Sequence, residues 1–201
     1  MLESETLLAH GYSPAYAFRA VMRHIAEHRD HHADFIVTTG DITEIPSETS
    51  YNTIGRMLDI KQSSTPPGPA LISIEGLERY PMYFLPGNHD DRDNFYRHLF
   101  PGSTPRPLMN SNFMHKGVQF ICIDWGTEAQ AVAHPETLAF LHDALENGAP
   151  SIILMHHQVV PIGVSWMDAF LAEDLQRFWD TVAGHRVLGI FSGHLHATYS
   201  T

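Results

Sequence analysis

The stretch that decides the fold is PMYFLPGNHD, residues 81–90, in which a short apolar run is followed by three chemically active side chains. The apolar half, Pro81–Leu85, predicts a buried β-strand. The polar half, Gly87-Asn88-His89-Asp90, supplies an amide, an imidazole and a carboxylate where that strand ends. Ligand sites in α/β proteins favour the carboxyl ends of strands. This segment therefore predicts both a core strand and the edge of a site.

Three more predicted strands end in the same way, in Asp or His residues. They are Phe35–Thr39 before Gly40-Asp41, Ser151–Met155 before His156-His157, and Val187–Phe191 before Gly193-His194-Leu195-His196. Each cluster alone has an ordinary explanation, because Gly-Asp is common in turns and paired histidines often pack or cap. All four in one chain, each after a strand, indicate a site built from several strand ends.

Helical patterns alternate with these strands. Ser13-Pro14 opens a helix whose apolar positions Phe18, Val21, Met22 and Ile25 predict one buried face. Further helices are predicted after Ser47, over Asp91–Phe100, over Pro135–Leu145 and over most of Trp166–Ala183, and a fifth strand is predicted over Val118–Asp124. The alternation predicts an α/β fold with a largely buried sheet. We interpret Gln62–Pro69 as a surface insertion, and residues 1–201 as a single domain.

The composition narrows the range of partners. The chain has 12 Lys and Arg residues and 23 Asp and Glu residues, and its formal net charge is -11. This charge argues against a broad surface that binds nucleic acid or acidic membranes. Bound metals could still attract a phosphate locally. No apolar run reaches the ~20 residues that cross a membrane. The single cysteine, Cys122, lies in an apolar run and predicts a buried, inert thiol. These features together predict a cytoplasmic protein.

The four clusters, taken in order, resemble the Gly-Asp, Gly-Asn-His-Asp, His and Gly-His-x-His motifs of the calcineurin-like metallophosphoesterases. The closest resemblance is to the branch that contains class III cyclic-nucleotide phosphodiesterases and glycerophosphodiesterases. Met155-His156-His157 with Pro161, and Phe191–His194, carry that narrower resemblance, and the match extends from about Ser13 to His196. The family fold that it implies is a β-sandwich flanked by helices.

The resemblance also implies a role for each matching residue. Asp41 would bridge two metal ions, and His196 would bind the first of them. Asn88, His156 and His194 would complete the second metal site, with His156 preferred over His157 because it matches the family ligand. His89 would face the phosphate as the catalytic histidine. Asp90 would either orient His89 or serve as a turn or cap residue, and His157 would support a ligand or pack in the core.

The implied chemistry is hydrolysis of a phosphate ester by a metal-bound hydroxide. Two neighbouring cations acidify a water, clamp the phosphate oxygens and neutralise charge during in-line attack. Oxygen and imidazole ligands without thiolate suit Mn, Fe, Zn or similar ions and do not select one of them. The expected substrate is a small phosphodiester, such as a cyclic nucleotide or a glycerophosphodiester.

The chain departs from the family pattern near both ends. The family's Asp-x-His motif at the end of a first strand is not found ahead of Gly40-Asp41, since Asp30-His31-His32 lies at a predicted helix end with the wrong spacing. The family continues past Gly-His-x-His with more strands, whereas this sequence ends at Thr201. We therefore expect a fold lacking its first and its C-terminal strands, through truncation or as a natural short form.

Two consequences follow for function. With only Asp41 and His196 left for the first metal, we expect one well-formed metal site and weakened catalysis. The alternatives to an active phosphoesterase are a metal- or phosphate-binding domain without catalysis, and a protein whose metal serves only its fold. An exposed sheet edge would also favour pairing with a second copy of the chain.

Overall fold

The computed structural model describes residues 13–27, 33–60, 62–63, 68–72, 80–163, 168 and 172–195. These residues form two compact units. The first unit holds the described residues through Phe84 together with His89–Pro105, and the second holds Leu85–Asn88 and the described residues from Arg106 onward.

The first unit is built on a four-stranded sheet in the order β1-β4-β3-β2. Its strands are β1 (Ile36–Thr39), β2 (Gln62–Ser63), β3 (Ala70–Ile72) and β4 (Tyr80–Leu85). Strand β3 pairs antiparallel with both β2 and β4, with Leu71 opposite Pro81. Strand β4 therefore has a neighbouring strand on each side, and residues 86–90 follow its carboxyl end.

Three helices belong to this unit: α1 (Pro14–Glu27), α2 (Glu48–Leu58) and α3 (Arg92–Leu99). Ser47 caps α2 by accepting a hydrogen bond from the amide of Ser50, and Asp91 caps α3 by accepting one from Asn94. An aromatic core lies beneath α2 and α3, where Tyr51 and Phe84 each meet Phe95 edge-on at centroid distances of 6.3 and 6.5 Å.

The second unit contains a four-stranded sheet in the order β5-β6-β7-β8. Its strands are β5 (Ser111–His115), β6 (Val118–Ile123), β7 (Ser151–Met155) and β8 (Val187–Phe191). Strands β5 and β6 form an antiparallel hairpin, whereas β6, β7 and β8 run parallel. The carboxyl ends of β7 and β8 therefore lie at the same edge of the sheet.

Helices α4 (Pro135–Leu145) and α5 (Ala172–Val182) cover this sheet with a continuous apolar core. Ile121 and Ile153 on the strands and Leu141 and Phe178 on the helices are all fully buried. On β8, Leu188 lies at a register shift between the pairs Ser151–Val187 and Ile152–Gly189, and it is 55% exposed.

Truncation of a leucine in this core is expected to destabilise the chain. Leu141→Ala removes a fully buried side chain, and such substitutions cost about 2–5 kcal/mol of unfolding free energy. The matched control is Leu188→Ala, at a 55% exposed position, for which we expect a change within about 0.5 kcal/mol. Urea denaturation of both variants measures the difference, and equal effects would contradict the assignment of this core.

The predicted α/β class, with two sheets and flanking helices, is confirmed. Helix Pro135–Leu145 and strands Ser151–Met155 and Val187–Phe191 have the predicted bounds, and the other predicted strands differ by one residue at an end. The predicted helix over Trp166–Ala183 is described over Ala172–Val182. The expected lack of the family's first strand and C-terminal strands stays a prediction.

Three sequence predictions were wrong in detail. Gln62–Pro69 is not only an insertion loop, because Gln62–Ser63 forms β2, while residues 64–67 lie outside the described residues. Strands β3 and β5 were missed, β3 because it has only three residues and β5 because its polar and apolar residues do not form a run. The positive φ angles of Lys116 and Gly117, 47° and 80°, mark the tight hairpin turn that joins β5 to β6. Val21 is 56% exposed and does not belong to a buried face of α1.

Two predictions from composition can also be compared with the structure. Cys122 is buried, and burial raises the pKa of its thiol to about 12, so very little reactive thiolate forms near neutral pH. Among the described helices, none has the length and apolar character needed to span a membrane.

Candidate metal centre

Three predicted ligands converge in the second unit. Asn88 follows β4 in the sequence, His156 follows β7 and His194 follows β8. The Asn88 Oδ1 atom lies 3.0 Å from His156 Nε2 and 3.1 Å from His194 Nδ1, and the two imidazole nitrogens are 3.2 Å apart. Three atoms that can donate an electron pair to a metal ion thus form a nearly equilateral triangle, which we call the donor triangle.

Hydrogen bonds among these three groups do not account for the triangle. An amide oxygen only accepts, and each of these ring nitrogens carries either a proton or a lone pair. If both nitrogens donate to Asn88 Oδ1, two N–H groups face each other across 3.2 Å. If one is unprotonated, its lone pair faces the amide oxygen. At least one edge of the triangle is therefore repulsive without a cation.

A single metal ion would remove this repulsion. Bonds of about 2.0–2.2 Å to one ion place neighbouring donors about 3.0 Å apart at a right angle and about 3.4 Å apart at a tetrahedral angle. The observed separations of 3.0–3.2 Å lie within that interval. One amide oxygen and two imidazoles, with no thiolate, also form a donor set suited to Mn, Fe or Zn. The residues present fit a metal.

The backbone at the ends of β7 and β8 sets this geometry. The amide of Gly193 donates to the carbonyl of His156 over 3.0 Å and links the two strand ends just beyond the sheet. His194 then adopts a left-handed conformation with φ of 65°, which is uncommon for a residue with a Cβ. Such strain persists only where the surroundings impose it, and it is concentrated at functional sites.

His157 lies behind this triangle and does not form part of it. Its ring is 1% exposed and packs against the rings of His156 and His194 at centroid distances of 5.1 and 5.0 Å. Its Nε2 atom donates to the backbone carbonyl of Glu128 over 3.0 Å. The His157 side chain therefore packs against the two predicted ligand rings and hydrogen-bonds to the loop that follows β6.

A second group of predicted site residues lies in the first unit. The amide of His89 donates to the Oδ1 atom of Asp41 over 3.0 Å, and His89 Nδ1 lies 3.2 Å from the carbonyl oxygen of Glu44. Since a carbonyl only accepts, Nδ1 carries the proton of that contact. The His89 side chain is exposed, so the interaction fixes the ring while leaving it accessible. Asp41 itself has a φ of 52°, another left-handed residue at a strand end.

The structure shows several hydrogen bonds of the Asp90 side chain, and its role toward His89 stays a prediction. Its carboxylate is 2% exposed and accepts hydrogen bonds from the amides of Ile42 and Thr43 and from the hydroxyl of Tyr51. The contact that orients the His89 ring comes from the Glu44 carbonyl. Asp91, and not Asp90, caps helix α3.

Sequence reasoning missed two kinds of contributor. The carbonyls of Glu44 and Glu128 act through the backbone, so their side chains give no signal. Tyr51 lies in the helix predicted after Ser47, and no role at the site was predicted for it, although a buried tyrosine usually needs a partner for its hydroxyl. Asn88, His89, His156 and His194 are described, whereas His196 lies outside the described residues. The metal-binding roles of Asp41 and His196 stay predictions.

Comparison with known proteins found a matching family and several similar phosphodiesterases. The family described as Calcineurin-like phosphoesterase matches residues 9–198. The chain is 27% identical over 182 residues to the glycerophosphodiester phosphodiesterase GpdQ of Enterobacter lignolyticus, covering 81% of this chain and 56% of that protein.

It is also 28% identical over 192 residues to the 3',5'-cyclic adenosine monophosphate phosphodiesterase CpdA of Vibrio vulnificus, with 90% of this chain and 60% of that protein covered. The CpdA protein of Escherichia coli K12 gives the same identity and coverage over 191 residues. The chain thus spans little more than half the length of these relatives.

Proposed function

Because this chain belongs to the calcineurin-like phosphoesterase family, we propose that it hydrolyses a small phosphodiester in a metal-dependent reaction. The observation that carries this proposal is the triangle of Asn88, His156 and His194 donor atoms, each 3.0–3.2 Å from the others. These three side chains would hold one metal ion, with Asp41 as its proposed fourth ligand. Only Asp41 and His196 would remain for the other metal of the family.

A metal ion bound there would acidify water and neutralise phosphate charge. The chain's own contribution is to hold the ligands in place before binding. His157 fixes the rings of His156 and His194 by packing, and the Gly193 amide ties the two strand ends together. The geometry is set by buried groups, which lowers the cost of ordering the site when a metal or substrate binds.

We propose that the His89 side chain contacts the phosphate ester of the substrate. With Nδ1 donating to Glu44, the other ring nitrogen, Nε2, is the one available to a phosphate ester. In the protonated ring, Nε2 donates a hydrogen bond to a phosphoryl or leaving-group oxygen and can transfer its proton to the departing alkoxide. The Glu44 carbonyl fixes the direction in which that proton points.

The proposed substrate class follows from the relatives and from charge. Two relatives are named for diesters, a glycerophosphodiester and a cyclic nucleotide. The net charge of -11 disfavours long polyanions such as nucleic acids while leaving a small anion able to reach a metal. A small soluble diester therefore fits better than a polymer.

A second candidate is a metal- and phosphate-binding domain without turnover. It rests on the expectation from the sequence that Asp30-His31-His32 does not supply the family's Asp-x-His ligands. In that case the donors of Asn88, His156 and His194 would still bind an ion and, through it, a phosphate group. The single-domain organisation of the chain and its pairing with a second copy also stay proposals.

The decisive experiment is hydrolysis by the chelator-treated chain, assayed before and after addition of Mn. We expect metal-dependent turnover of bis(p-nitrophenyl) phosphate that exceeds turnover of p-nitrophenyl phosphate. Bound metal should be measured in the same samples by elemental analysis. Stoichiometric metal without turnover of either ester would instead establish the binding domain, and absence of bound metal would reject both candidates.

A further inference from the structure

We propose that Tyr51, on helix α2, is a positioning residue for His89 and acts through Asp90 and the backbone of residues 42–44. The inference rests on the role proposed above for His89, and it extends the site to a side chain that touches neither metal nor substrate. Tyr51 is fully buried, as are Asp90 at 2% exposure and Thr43 at 0%.

The first link joins Tyr51 to Asp90. The Tyr51 hydroxyl donates to Asp90 Oδ1 over 3.0 Å, the shortest of the hydrogen bonds described for that carboxylate. Burial, followed by the charge of Asp90, raises the pKa of Tyr51 well above its usual value, so the phenol keeps its proton at working pH. A buried carboxylate is costly unless hydrogen bonds satisfy it, which makes this donor valuable.

The second link joins Asp90 to the loop after β1. Its Oδ2 atom accepts from the amide of Ile42, and its Oδ1 atom accepts from the amide of Thr43, both over 3.3 Å. The Thr43 hydroxyl also reaches the backbone carbonyl of His89 over 3.3 Å. Carboxylate and hydroxyl together hold residues 42–43 against residues 89–90.

The third link joins this loop to the imidazole. Glu44 directly follows Thr43, and its carbonyl oxygen lies 3.2 Å from His89 Nδ1. A shift of residues 42–43 would therefore move the atom that sets the His89 ring. The same shift would affect Asp41, whose carboxylate accepts from the His89 amide over 3.0 Å. One hydroxyl on α2 thus supports the alignment of two predicted functional groups.

Tyr51→Phe tests this chain of contacts because it removes only the hydroxyl. The ring contact with Phe95 at 6.3 Å and the stacking on His98 at 6.1 Å are retained. Tyr96→Phe is the matched control, since Tyr96 is also buried, at 1% exposure, and packs by its ring against Phe100. Both variants should be assayed with saturating Mn, well below their melting temperatures.

We expect Tyr51→Phe to lower kcat for bis(p-nitrophenyl) phosphate by about 10-fold or more, with KM changed less than about twofold, because a misdirected catalytic group weakens transition-state contacts first. Tyr96→Phe should leave both constants near the wild-type values. A purely structural role for Tyr51 would lower the melting temperature without this change in kcat. Unchanged kcat in Tyr51→Phe would overturn the positioning role while leaving the proposed hydrolysis intact.

Amide hydrogen exchange provides a readout that needs no turnover. In Tyr51→Phe we expect faster exchange at Ile42 and Thr43, with no change at the core strand Ser151–Met155, and no such local effect in Tyr96→Phe. If the wild-type chain proves inactive, the proposed function fails, and this exchange pattern still decides whether Tyr51 holds the loop. Equal exchange at Ile42 and Thr43 in wild type and Tyr51→Phe would reject the inference.

Discussion

Replacing His194 with alanine is expected to weaken Mn binding by at least about 100-fold, because even residues that only support metal ligands contribute about 10–100-fold to affinity. The variant removes one corner of the donor triangle, whose other corners lie 3.1 and 3.2 Å away. Hydrolysis should be lost with the metal. Isothermal titration calorimetry of the chelator-treated chain measures the affinity directly.

Two comparisons make this prediction specific. His142→Ala is the matched control, since the His142 side chain is 56% exposed on α4, and it should bind Mn as the wild type does. At the Asn88 corner, Asn88→Asp keeps an oxygen donor and should retain the metal, whereas Asn88→Leu keeps the approximate size without a donor and should lose it. Wild-type affinity in a folded His194→Ala variant, verified by circular dichroism, would show that the triangle is not a metal site.

Replacing His89 with alanine is expected to lower kcat by about 10²–10⁴-fold while the bound metal stays at the wild-type level. The reason is that His89 lies outside the donor triangle, and its ring is held by the Glu44 carbonyl with Nε2 left available. Loss of the imidazole removes a proton donor and a charge-stabilising group but no donor of the triangle. Steady-state kinetics with bis(p-nitrophenyl) phosphate, together with elemental analysis, separates the two effects.

His24→Ala, at an exposed histidine on α1, serves as the control and should leave kcat unchanged. The contrast with His194→Ala is informative, because one variant should lose turnover with its metal retained and the other should lose both. Loss of bound metal in His89→Ala would mean that the ring is itself a ligand. Turnover near the wild-type rate would remove His89 from the reaction.

The sequence by itself determined the class of fold and supplied the candidate residues of the site. Period-two and apolar strand patterns, cap residues such as Ser47 and the proline at the start of α4 are local signals that short-range sterics and hydrogen bonding enforce. Asn88, His156 and His194 follow predicted strands, and the resemblance of their motifs to a known family made them candidate ligands. Strands β2, β3 and β5 escaped prediction. The polar strands β2 and β5 depend on their partner strands and leave little trace in the side-chain pattern, and β3 has only three residues.

Only the tertiary structure decided how these candidates are used. The spacing of Asn88, His156 and His194 comes from strand ends that are distant in sequence, and no local rule predicts separations of 3.0–3.2 Å. The partners of Asp90 and His89 were equally hidden, since three of them are the backbone groups of Ile42, Thr43 and Glu44 and a fourth is the hydroxyl of Tyr51 on helix α2. The sequence specifies which groups can carry the chemistry, whereas packing of the chain fixes their distances and orientations.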